Sequence, residues 1–183
     1  MGILAELIRR GRLRLLGMAA VVLILSPFLL PSAAADLTAT VDYAKSGNTL
    51  ELLFELNHEA PVTTIRLAAI EAPDRRQEPW GTQSRDCLAD LRDQIVRLEL
   101  VDEQPDAYNR LWAYGWRKRD LINKTSLARG CTYLADPTDQ FSPYYQELLY
   151  AQERSRLLGL GIWDPENPLR ETAQQFRQRS PAP

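Results

Sequence analysis

The sequence predicts an α+β domain, on three observations. Short runs rich in β-branched and aromatic residues are bounded by turn chemistry; one helical pattern falls between the third and fourth of these runs; and two more follow the fifth, so strands and helices do not alternate as βαβ units would. Closing five short strands into a small barrel of the OB type is the economical way to remove exposed strand edges.

The chain opens with Arg9, Arg10, Arg12 and Arg14 before an apolar run from Leu15 to Leu30, and Pro31-Ser32-Ala33-Ala34-Ala35 follows. The run is 16 residues long, short of the roughly 20 that span a bilayer, and its small-residue end suits signal peptidase. Residues 1–35 are therefore expected to be a signal peptide cleaved before Asp36, the alternative being an uncleaved anchor. Either way the remainder is placed outside the cytoplasm, secreted or periplasmic.

In the mature chain residues 37–45 form the first strand, and Ser46-Gly47-Asn48 turns it into a second, Thr49 to Leu56. Asn57 to Pro61 makes the next turn, with His58 as a turn residue, and Val62 to Ile70 the third strand, where Thr64, Arg66 and Ala68 share a face. Cys87, Leu88 and Leu91 recur at helical spacing within Thr82 to Arg92. Ile95, Leu98 and Leu100 mark a fourth strand, and Tyr108 to Trp116 a well-buried fifth. A short helix from Leu121 to Arg129 is stopped by Gly130, and a longer one runs from Ser142 to Leu158. The domain is thus expected to span residues 36–163, with residues 164–183 a flexible tail that has few apolar anchors.

Composition narrows the function classes. Of 22 basic and 24 acidic residues, the signal holds four arginines and one glutamate, leaving 18 and 23 and a net charge of −5. Non-specific nucleic-acid binders are usually basic, so any nucleic-acid contact must come from a local patch. With His58 as the only histidine and no CxxC, a zinc site is not indicated. Cys87 and Cys131 are either a disulfide formed on export or two buried thiols.

The chemistry concentrates in Ile65 to Gly81, "IRLAAIEAPDRRQEPWG", where an arginine within a strand is followed by Glu71, Pro73 and Asp74. Cleaving a phosphodiester requires cations aimed at the non-bridging oxygens and a group that activates water. Arginine meets the first need with a planar, permanently charged fork, and carboxylates meet the second and can also hold calcium. Taken singly, Arg66 and Arg110 read as ordinary paired strand residues, and Glu71 and Asp74 as turn residues. Most of the aromatic residues are expected in the core.

Together, "IRLAAIEAPD … PWG", "DAYNRLWAYGW", "IN … LARG" and "AQERSRLLGLGIW" resemble staphylococcal (micrococcal) nuclease and its thermonuclease-like relatives over Leu37 to Trp163. The resemblance implies an OB-type barrel with three helices and a calcium-assisted hydrolase of DNA or RNA. Arg66 and Arg110 fall on its phosphate-binding arginines, Asp74 on its general-base glutamate, and Glu71 and Asn48 on its calcium-ligand aspartates. Tyr108 is placed to flank the substrate. Both arginines match by identity and every carboxylate position is altered, so the calcium site is expected to be weakened. The implied partner is single-stranded DNA or RNA, met by a monomer with no stable membrane partner. The reading from another class is a catalytically impaired OB-fold module that binds nucleic acid, a peptide or a protein.

Overall fold

The computed structural model describes residues 36–56, 61–135 and 142–181. The expected signal peptide and His58 lie outside these residues. All the described strands and helices belong to one compact unit within residues 33–183.

A long first strand, β1 (Asp36–Ser46), pairs antiparallel with β2 (Thr49–Leu52) near its end and with β5 (Ile95–Leu100) along its start. Two register shifts, between Val41 and Tyr43 and between Ala44 and Ser46, bend it enough to serve both partners. β2 pairs antiparallel with β3 (Thr64–Leu67), and β5 with β6 (Arg110–Arg117). A parallel pairing between β3 and β6 closes the ring, giving the five-stranded mixed barrel of an OB-type α+β fold.

Inward-facing residues fill that barrel, with Val41, Leu50, Ile65, Val96, Leu98 and Leu111 almost wholly buried. Burying each such side chain contributes roughly 1.5–3 kcal/mol. Helices α2 (Ile122–Ala128) and α3 (Tyr145–Leu157) add Leu127, Leu148 and Ala151 to the same core. Gly130, at φ 69°, ends α2 in the left-handed conformation expected of it.

The third strand is shorter than its apolar pattern predicts. The chain turns sharply at Ala68-Ala69, where Ala69 takes φ 60°, and leaves as β4 (Ile70–Glu71), paired with β8 (Tyr133–Leu134). Buried Asn123 pins this turn by donating to Ala68 O at 2.8 Å while accepting from Gly115 N at 3.0 Å. The turn carries Glu71 through Asp74 off the barrel wall. A tight pair, β7 (Asp120–Leu121) against the end of β6, leads into α2.

The first helix, α1 (Trp80–Asp86), stops earlier than its sequence pattern suggests and is followed by a 3-10 turn at Ala89–Leu91. Cys87 and Cys131 form a disulfide with Cα atoms 6.4 Å apart, tying the end of α1 to the segment after α2 and resolving the choice that spacing left open.

Beyond a 3-10 turn at Gly161–Trp163, the segment read as a tail instead folds back and forms a fourth helix, α4 (Ala173–Arg179). Its anchors are mainly polar. Trp80 Nε1 donates to Asn167 O at 3.1 Å, Gln77 Nε2 to Glu171 O at 3.1 Å, and Ala173 N to the Tyr133 hydroxyl at 2.9 Å.

Candidate active site

β3 and β6 run side by side with Thr64 opposite Arg110 and Arg66 opposite Trp112. Residues two apart on a strand share a face, so the closure of the barrel places Arg66 and Arg110 on one surface. Trp112 lies between them. The Arg66 guanidinium sits 5.3 Å from the Trp112 ring centroid, and Trp112 Nε1 donates to Asp106 Oδ2 at 3.1 Å. Asp106 in turn holds Arg110, accepting from its Nε at 2.9 Å and its Nη2 at 2.6 Å.

Arg66, Arg110, Asn48, Glu71 and Asp74, all proposed from sequence, line one open cleft of about 320 Å³. Tyr108 is highly exposed and is not among the lining residues; its ring lies 4.9 Å from the Arg110 guanidinium and so flanks the cleft through that arginine. Sequence reasoning missed Lys45, Arg75 and Arg177, which also line it. With these the cleft has five basic residues against two acidic ones, which is the local cationic patch that an acidic chain needs to meet phosphate. Asp106 was missed as well, although an acid four residues before Arg110 is a readable signal.

The acids of the cleft are engaged. Glu71 accepts a hydrogen bond from Arg66 Nη2. Asp74 Oδ1 accepts from the backbone N of Arg76 at 3.0 Å and from its Nε at 3.2 Å, and Arg177 Nη1 stands 3.6 Å from Oδ2. Burial pushes the Asp74 carboxyl up, but these hydrogen bonds and the two arginine charges more than reverse it and hold it below the ordinary carboxylate value. Gln77 fixes the loop's shape: its Oε1 accepts from Asp74 N at 2.7 Å and its backbone N donates to Asp74 O at 2.8 Å.

Asn48 is almost fully buried in the β1–β2 turn. Its Oδ1 accepts from the hydroxyls of Ser46 at 3.0 Å and Thr49 at 3.3 Å, while its Nδ2 donates to Ile70 O at 3.1 Å. The turn itself requires glycine, since a Cβ on Gly47 would lie 1.7 Å from Ser84 Oγ. Calcium takes about six to eight oxygen ligands, with affinity set by carboxylate number and rigidity. Here one carboxylate is paired to Arg66 and the one amide oxygen already accepts two hydroxyls. Among the described residues no group of three or more His, Cys, Asp or Glu is gathered to hold a metal. This donor set does not fit a resident calcium ion.

A second, smaller cavity of about 60 Å³ lies beside the disulfide; two aspartates and two arginines line it together with Leu88, Leu91 and Ile122, and Arg117 is paired there with Asp90 at 2.7 Å.

An OB-type barrel bearing paired strand arginines and loop carboxylates in one cationic cleft defines a phosphate-directed domain of the nuclease type. Residues 64–165 match the family model described as staphylococcal nuclease homologue. A protein of Haemophilus influenzae described as an uncharacterized endonuclease is 32% identical over 141 residues, which cover 77% of this chain and 74% of that protein. The chain belongs to the staphylococcal nuclease homologue family, and both comparisons support nuclease function in general.

Proposed function

We propose that this chain is an exported nuclease, acting as a monomer, that hydrolyses phosphodiester bonds of single-stranded DNA or RNA. The observation that carries the reading is the shared face of β3 and β6, which aims Arg66 and Arg110 into the cleft that holds Glu71 and Asp74. The two guanidiniums donate to the non-bridging oxygens, where charge accumulates as water attacks phosphorus. Asp74 positions the attacking water, and its lowered pKa suits orientation better than strong proton abstraction. An incoming phosphate competes with Glu71 for Arg66 and so releases the Glu71 carboxylate into the site. Calcium stimulation, where it occurs, is expected to need millimolar ion, in keeping with a single paired carboxylate and an amide. The Cys87–Cys131 disulfide supports an oxidising compartment and therefore export.

The engaged state of both acids favours a second reading, a member of the family that binds nucleic acid without cleaving it. Hydrolysis of denatured DNA and of RNA, with calcium and with chelator, separates the two. Cleavage that is lost in Asp74→Ala and in Arg66→Ala, with the circular dichroism spectrum retained, is the outcome expected of the nuclease. A folded wild-type protein that binds oligonucleotide and cleaves neither substrate would establish the binding module.

A further inference from the structure

Helix α4 lies beyond the residues that match the family model, yet it contributes to the cleft. A capping box sets its start: Thr172 Oγ1 accepts from Gln175 N at 3.2 Å and Gln175 Oε1 accepts from Thr172 N at 2.8 Å. Ala173 is 1% exposed, and Phe176 lies beneath the guanidinium of Arg76 at 5.2 Å. This docking puts Arg177 on the cleft wall.

The two arginines of α4 differ in commitment. Arg179 is held by both oxygens of Glu171, through Nε at 3.2 Å and Nη2 at 2.5 Å. Arg177 meets Asp74 only at 3.6 Å, beyond hydrogen-bond length, with a side chain 54% exposed. An ion pair that loose and that exposed contributes little to stability, so docking α4 does not account for it. It leaves a planar, permanently charged donor facing a cleft built for phosphate.

We propose that Arg177 is a third substrate-binding arginine of the cleft, donating to a phosphate of the nucleic-acid chain alongside Arg66 and Arg110. The proposal rests on the nuclease reading in that it takes nucleic acid as the ligand.

The test is fluorescence anisotropy of a single-stranded phosphorothioate oligonucleotide, which resists hydrolysis, titrated with wild type, Arg177→Ala, Arg177→Lys and Arg179→Ala across a range of salt. Arg177→Ala is expected to weaken binding about five- to tenfold and to flatten the salt slope by roughly 0.7, the value for one lost single-strand phosphate contact. Arg177→Lys recovers part of the loss, Arg179→Ala binds as wild type, and melting temperatures stay together. Steady-state cleavage by Arg177→Ala shows a raised KM with kcat within about twofold of wild type, as loss of uniform binding requires. Wild-type affinity and salt slope in Arg177→Ala would overturn the proposal, as would an equal loss in Arg179→Ala or a loss that tracks a lowered melting temperature. Wild type that binds the oligonucleotide but cleaves nothing removes only the nuclease reading, and Arg177 is then decided by affinity alone. Wild type that binds nothing removes both.

Discussion

Arg66 donates from Nη2 to the Glu71 carboxylate, so the strand arginine of the cleft and the loop acid five residues later neutralise each other. The pair is part-buried, with side-chain exposures of 12% and 31%, and under the proposed function it would compete with phosphate for the guanidinium.

Glu71→Gln keeps the shape of the side chain and removes the competing charge. Affinity for a phosphorothioate oligonucleotide is expected to rise about threefold, the scale of a partly exposed ion pair, while the rate of cleavage of ordinary DNA falls. Parallel anisotropy and hydrolysis measurements read the two effects; a fall in both would show that Glu71 holds Arg66 in its binding geometry instead.

Asn48→Asp restores a carboxylate to the β1–β2 turn. Without metal the variant is expected to be less stable by about 1–3 kcal/mol, because a carboxylate oxygen then faces Ile70 O in place of the Nδ2 donor. Adding about 10 mM calcium should raise its melting temperature by several degrees, against about one degree or less for wild type. Equal calcium shifts in the two proteins would show that the wild-type donors already suffice.

Asp106 governs a pH dependence. Burial raises its pKa, but hydrogen bonds from Arg110, Trp112 and the backbone outweigh this and lower it from 3.8 to about 2. A group depressed on folding adds stability above its unfolded pKa, and that stability is lost as pH falls through the folded value. The stability gap between wild type and Asp106→Asn is therefore expected to be roughly 1–2 kcal/mol at neutral pH, to narrow below pH about 4 and to close near pH 2. Urea unfolding at several pH values measures it; a constant gap would contradict the assignment.

Reduction of Cys87–Cys131 opens a covalent link across a sequence separation of 44. On the chain-entropy model that loop is worth roughly 4 kcal/mol. The urea midpoint should fall accordingly in dithiothreitol, and Cys87→Ser with Cys131→Ser should show the low midpoint with no response to reductant.

The strands were legible in the sequence wherever apolar alternation and turn chemistry coincided, as at Ser46 to Thr49, and Gly130 marked the end of α2 by its backbone alone. What periodicity overran was the end of β3. Ala69 carries no sequence mark of its positive φ, and the lock on that turn comes from Asn123, 55 residues after the Ala68 carbonyl it holds. The site separated along the same line. Arg66 and Arg110 lie in motifs with local context, and Asp106 precedes Arg110 by one helical step even though the segment is not helical. Arg177 had no such context. Its helix is anchored by backbone groups, one small buried residue and Phe176 beneath Arg76, too few apolar positions to make a hydrophobic pattern.

Because Gln77 joins the Asp74 loop to Glu171, and α4 brings Arg177 to the same cleft, the wall of the site is assembled from segments 94 residues apart. If Arg177 binds substrate as proposed, a molecule clipped between the barrel and α4 keeps both strand arginines but loses part of its grip on the nucleic acid. An intact α4 is then part of what makes the protein competent.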